Sequence, residues 1–96
     1  MIITIPTYRK VMYHGQVIEV PLWVKYIAMS VRMRGNKADL IGFSHKPYLT
    51  VTHCNWFISK DKKEPREEII GHVTGVNVDY NDELFHRRSL LKLPEM

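Results

Sequence analysis

The stretch VPLWVKYIAMSVRMRGNKADLIGFSHKP, residues 20–47, decides the fold. Within it Ile27, Met29, Val31 and Met33 share one parity, while Tyr26, Ala28, Ser30 and Arg32 share the other. Period two over that length indicates a half-buried strand. Arg34-Gly35-Asn36-Lys37 supplies turn chemistry, because Gly and Asn tolerate left-handed backbone. Residues 39–45 return as the partner strand, with Ile41 and Phe43 on one side and Leu40 and Gly42 on the other. Gly42 leaves room for a large neighbour such as Trp23 or Trp56. Pro47 closes the unit, and the remaining chain is expected to pack against this hairpin.

Upstream, residues 8–20 read as a second hairpin. His14-Gly15 forms a two-residue turn, with Gly supplying the positive φ such turns need. That register sets Val11 opposite Ile18 and Tyr13 opposite Gln16 on one face. It also sets Lys10 opposite Glu19 on the other, an opposite-charge pair suited to a wet surface. Pro21 ends the strand, and Leu22-Trp23-Val24 is a crossing turn that lays Trp23 on the core. Residues 2–5 are a short β-branched run ended by Pro6, an edge strand or a lead-in. Its unpaired edge would suit pairing with a symmetry mate, hence a homo-oligomer.

Downstream, residues 48–59 carry apolar and β-branched side chains and read as one further strand. Residues 60–68, KDKKEPREE, are charged throughout and contain Pro65, which predicts a mobile loop. Residues 69–78 resume β character, with Gly71 and Gly75 marking bends or bulges. The period then changes. Asn81 or Asp79 caps a helix that begins at Asp82-Glu83 and runs about three turns, with Leu84, Phe85, Arg88 and Leu91 on one face. Pro94 limits its length. The expectation is one domain over residues 1–96 of the α+β class: a small, mainly antiparallel sheet of five to six strands with one C-terminal helix.

The chain has 96 residues, 45% hydrophobic and 25% charged, ordinary values for a folded domain. The single Cys54 excludes an internal disulfide and fits a reducing compartment. No apolar run approaches the roughly 20 residues of a membrane helix, and no signal peptide is read, so a cytoplasmic protein with no membrane partner is expected. The net charge of +4 permits an anionic partner, although acids interrupt the Lys60–Arg66 cluster.

Chemistry is scarce. His53-Cys54 are adjacent, so in a strand they face opposite ways. No C-x-x-C or H-x-x-x-H spacing occurs, and a tetrahedral site would have to gather His14, His45, His72 and His86 through folding alone. Cys54 in an apolar strand reads as a small buried hydrophobe rather than a nucleophile. No paired carboxylates or Gly-rich phosphate loop are evident. The expectation is a chain with no enzyme activity, no metal and no cofactor.

One resemblance extends this reading. Val20-Pro21-x-Trp23-x-Lys25-Tyr26-Ile27-Ala28, then Gly42-Phe43-Ser44-His45-Lys46-Pro47, Trp56, Ile70-Gly71-His72 and Ser89-Leu90 resemble a pattern among short uncharacterised proteins of tailed bacteriophages and prophages. The resemblance implies a small β-rich phage accessory protein acting in the host cytoplasm, and it supplies no catalytic residue. Such proteins typically carry a short acidic turn between the two central strands. Here the tip is basic, with Arg32, Arg34 and Lys37 around Gly35-Asn36, either an acquired contact site or a solvated turn.

The functional expectation is therefore a phage-encoded binding protein that attaches to a host protein and modulates or inhibits it. Arg32, Arg34 and Lys37 are the candidate contacts at the tip, with Tyr26 and Tyr48 as aromatic anchors. The alternative is a nucleic-acid-binding module in which the basic ribbon enters a groove and Tyr26, Trp56 and Phe57 stack on bases.

Overall fold

The computed structural model describes residues 1–5, 7–31, 36–50, 55–76 and 82–95. These form a mainly antiparallel α+β fold with one short helix near the C-terminus. The strands are β1 (Tyr8–Tyr13), β2 (Gln16–Pro21), β3 (Tyr26–Val31), β4 (Lys37–Phe43), β5 (Tyr48–Thr50), β6 (Asn55–Phe57), β7 (Glu67–Thr74) and β8 (Leu91–Lys92), with helix α1 (Glu83–Ser89) between the last two. Among the described residues there are eight short strands where five or six were expected, and they lie in three sheets: β7-β4-β3-β8 at the centre, β1-β2 and β5-β6 as separate hairpins.

The central hairpin sets this arrangement. β3 and β4 pair from Tyr26↔Phe43 to Val31↔Ala38. Ile27 and Leu40 fall on one face and join Val11, Tyr13, Val20, Val24 and Leu93 in the larger core cluster. Ala28 and Phe43 fall on the other and join Trp56. Alternation predicted one buried face, yet Ile27 and Ala28 are both fully buried. The β1-β2 hairpin covers the first face, and Trp56 with Leu49 covers the second. Small Ala28 is what lets a tryptophan approach the strand closely enough to close that side.

The β1-β2 register is the expected one, Lys10↔Glu19, Val11↔Ile18 and Tyr13↔Gln16. His14 (φ 46°) and Gly15 (φ 81°) are both left-handed, the signature of a type I′ turn whose twist matches the flanking strands. Burial follows the pleat: Val11, Tyr13 and Val20 point inward.

Four expectations are corrected. The space at Gly42 is taken by Val24, not by a tryptophan: a Cβ there would stand 2.7 Å from Val24 Cγ2. The single strand over residues 48–59 is a hairpin, with Tyr48 opposite Phe57 and Leu49 opposite Trp56. Folding back keeps both apolar segments on the sheet, where a straight run of twelve would extend about 40 Å. The charged loop is shorter than its composition suggested, because Glu67 and Glu68 belong to β7. Its end is pinned: Ser44 N–H donates to the Arg66 carbonyl (2.9 Å), Arg66 N–H donates to Ser44 Oγ (2.8 Å), and the Arg66 guanidinium lies 4.3 Å from the Trp23 ring centroid. The helix is two turns rather than three. Asp82 is its cap, accepting from Phe85 N–H at 3.1 Å, and Leu91 has passed into β8. Its buried side chains are His86 and Ser89, while Leu84 is exposed.

Gly71 sits at a bulge, since Leu40 faces Gly71 while Ile41 faces Ile69, leaving Ile70 as the extra residue. Gly75 follows with φ 81°. Residues 2–5 are an exposed lead-in outside any strand of the chain. The expected positions of Pro6, His53, Cys54, Asp79 and Asn81 lie outside the described residues.

The outer edge of β3 shows how the pieces lock. β8 pairs only with Tyr26 and Ile27. At Met29, side chains replace the missing strand: Met29 N–H donates to Ser89 Oγ (3.0 Å), and its carbonyl accepts from Trp56 Nε1 (3.2 Å) and His86 Nδ1 (3.1 Å). Backbone groups left by an incomplete sheet are thereby satisfied inside the core.

Candidate functional site

Of the five residues expected to make contact, the three described ones, Tyr26, Lys37 and Tyr48, are not gathered into one site. Tyr26 opens β3, opposite Phe43 and Lys92, with its ring packed against the smaller core cluster. Lys37 opens β4 opposite Thr74. Phe43 is six residues further along that strand, so Lys37 and Tyr26 are separated by about 20 Å. Tyr48 is half exposed on β5, its ring 6.2 Å from that of Phe57. Arg32 and Arg34 lie outside the described residues. Of the aromatics considered for base stacking, Trp56 is buried and its indole N–H is committed to Met29. It offers no face to a base.

A different surface is built by the N-terminal part of the chain. Tyr8, Lys10 and Met12 on β1, with Val17 and Glu19 on β2, project from the face of the hairpin opposite the core. Met12 pairs directly with Val17, and they are 59% and 62% exposed. Tyr8 is 59% exposed on the same face. Ahead of them Ile2, Ile3 and Ile5 are each more than three-quarters exposed. Most of the exposed large hydrophobics therefore belong to the arm and to this hairpin, with Lys10 and Glu19 between them as a charged pair. Alternation predicts the outward direction of Met12 and Val17, but the turn register had to be combined with it to see that they form one patch.

A second feature lies at the end of the central sheet, where β1, the β2–β3 connection and β8 meet. A cavity of about 420 Å³ is lined there by Arg9, Lys25 and Lys92, with Leu22, Leu93 and Glu95 among its walls. Arg9 donates to the Pro94 carbonyl (2.6 Å) and the Val24 carbonyl (3.4 Å), tying β1 to the C-terminal segment. Its Nε is buried without a partner. These three cations lie in three separate segments, so no local pattern could have assembled them.

Among the described residues no three His, Cys, Asp or Glu side chains lie close enough to hold a metal ion. His72 pairs with Asp39 at 3.1 Å on the exposed face of β7 and β4. Burial pushes the phenol of Tyr13 above its ordinary value of 10.0, and its hydroxyl donates to the Ser89 carbonyl at 2.7 Å. No described helix is long and apolar enough to cross a membrane. Compared with known proteins, the chain matches no family model, no curated sequence and no solved structure.

Proposed function

We propose that the chain is a small non-catalytic binding protein that attaches to a partner protein through its N-terminal apolar surface and modulates that partner. The observation that carries the reading is the clustering of exposed Ile2, Ile3, Ile5, Tyr8, Met12 and Val17 along the arm and the outer face of one hairpin. Isolated exposed hydrophobics are ordinary, whereas apolar side chains concentrated on one hairpin face and on the segment before it, with the Lys10–Glu19 row between Tyr8 and Met12, suit an interaction surface. A two-stranded hairpin with its inner face anchored in the core presents such a patch rigidly, which lowers the entropy lost on binding. In the phage setting that the VPxWxKYIA pattern implies, the partner is a host protein in the bacterial cytoplasm.

The test is affinity capture from bacterial lysate treated with nuclease, comparing the native chain with a Met12→Lys/Val17→Lys variant. The reading predicts one host protein enriched by the native chain and lost with the variant, whose fold is checked by circular dichroism. Enrichment that vanishes with nuclease would instead favour the nucleic-acid module. Equal capture by both forms would remove the hairpin face from the account.

A further inference from the structure

We propose that the outer edge of β7 is a self-pairing surface, which joins two copies of the chain as antiparallel β7 neighbours across a two-fold axis at the Ile70–Gly71 step. This surface is independent of the apolar face of the hairpin. β7 is eight residues long and ends the central sheet, with β4 its only strand neighbour among the described residues.

Two hydrogen bonds that bracket the strand fix which way its backbone groups point. Ser44 N–H donates to the Arg66 carbonyl at one end, and Gly75 N–H donates to the Asn36 carbonyl at the other. Bonded and non-bonded pairs alternate along an antiparallel ladder. Counting inward from both ends puts Glu68, Gly71 and Val73 in bonded pairs with Gly42, Leu40 and Ala38. Glu67, Ile69, His72 and Thr74 then direct their N–H and C=O groups away from β4. The bulge at Ile70 is what shifts this outward set from odd to even positions. The contact of His72 with Asp39 at 3.1 Å agrees with that phase, because non-bonded pairs bring their side chains closest. All four residues are exposed, and among the described residues no hydrogen bond takes up their outward backbone groups.

The outward set is its own complement. Reversing the strand about the Ile70–Gly71 step sets Glu67 against Thr74 of the second copy and Ile69 against His72 of the second copy. Each of these pairs exchanges both backbone bonds, and no other two-fold register engages all four residues at once. A bulge commonly protects an edge from pairing. Here it lies at the midpoint, so both strands take the same longer step and the bonds on either side stay in phase. At the axis Ile70 falls opposite Gly71, where a Cβ would meet nothing nearer than 4.0 Å.

Charge selects the same register. The acids of β7, Glu67 and Glu68, occupy one end, and the other end, His72-Val73-Thr74, carries none. Reversal lays each acidic end on the acid-free end of the other copy, with Glu67 diagonal to the second copy's His72. A register centred on Glu68 would instead set that carboxylate against itself, which is unfavourable. A closed two-fold contact of this kind extends the sheet through both copies without leaving β7 exposed for a third.

The test is hydrogen exchange on the full chain with sedimentation velocity, both run from about 10 µM to about 1 mM, the range of a weak backbone-mediated contact. Dimer should form as concentration rises, and exchange should slow at the amides of Glu67, Ile69, His72 and Thr74. The amides of Glu68 and Val73, already bonded to β4, should not change with concentration. Ile69→Pro removes an outward N–H and spares the β4 ladder, a placement that edge strands tolerate. It should weaken the dimer by about tenfold or more, whereas Ile69→Ala, which keeps the N–H, should weaken it less. Circular dichroism checks the fold of both variants. A monomer throughout the range would overturn the proposal. So would a dimer in which the four outward amides exchange as fast as in the monomer, or one that Ile69→Pro leaves as tight as the native chain.

Discussion

At the scale of single residues, Gly42 and Tyr13 carry the account. An alanine methyl at position 42 would meet Val24 Cγ2 at 2.7 Å, Val24 Cγ1 at 3.1 Å and Ile70 Cγ2 at 3.2 Å. Val24 is fully buried and β-branched, so it has no free rotamer in which to retreat. Gly42→Ala should therefore cost about 1–3 kcal/mol in chemical denaturation. Combining it with Val24→Ala should recover part of that loss, and strictly additive destabilisation would contradict the clash.

Tyr13 predicts an alkaline effect of definite sign. Its folded-state ionisation lies above the ordinary 10.0 because burial disfavours the phenolate. Below pH 10 the phenol is neutral in both states and its contribution is complete. As pH rises past 10 the unfolded chain ionises first, so stability falls by up to about 1.4 kcal/mol per pH unit from this group. Tyr13→Phe should flatten that decline relative to the native chain. At neutral pH it should cost about 1–2 kcal/mol, because the Ser89 carbonyl loses its donor. An unchanged slope above pH 10 would mean that the phenol is not withdrawn from water.

At the scale of elements, α1 and β8 act as the seal on one edge of the central sheet. Two turns of helix are too short to persist alone, so α1 is held by tertiary contacts. Ser89 supplies two of them at once, its hydroxyl accepting from Met29 N–H and its carbonyl accepting from the Tyr13 hydroxyl. Ser89→Ala should destabilise the fold by about 1–3 kcal/mol and should accelerate hydrogen exchange at the Met29 amide more than at its neighbours in β3. Uniform acceleration along β3 would point to general loosening instead.

The elements also show what the sequence makes legible. The β1-β2 register could be read because alternation, an opposite-charge pair and a His-Gly turn all agree on it. The helix start could be read because Asp82 and Glu83 suit the positive end of a helix dipole. The partners of β3 could not. Leu91 and Lys92 return to Tyr26 and Ile27 across more than sixty positions, a pairing that no local period encodes. The fold-back between β5 and β6 was hidden for another reason: both strands are only three residues long, so an apolar run and two short strands look alike.

For the whole molecule, the layered arrangement decides which surfaces remain for a partner. One hairpin lies over each face of β3 and β4, so the side chains of those two strands are largely spent on the two cores, while β7 stays mostly exposed. Most of the exposed large hydrophobics lie on the far side of β1-β2 and in the arm before it. The expected contact set joined a basic turn, read from its Gly-Asn chemistry, to Tyr26 as an anchor, and Lys37 and Tyr26 stand at opposite ends of the sheet. Charge clusters in a sequence do not reveal their separation in space, whereas hairpin register does. The cavity at Arg9, Lys25 and Lys92 lay beyond sequence reading for the same reason.

The claim that the N-terminal surface is where a partner docks is tested most directly by hydrogen exchange on the complex with the captured host protein. Residues 2–5 lie outside any strand and are exposed, so in the free chain their amides should exchange rapidly. Binding should slow exchange there and at the outward-facing stretch around Met12 and Val17. Arm amides that exchange as fast in the complex as in the free chain, with protection appearing at Lys37 or at Tyr48 and Phe57 instead, would contradict the account.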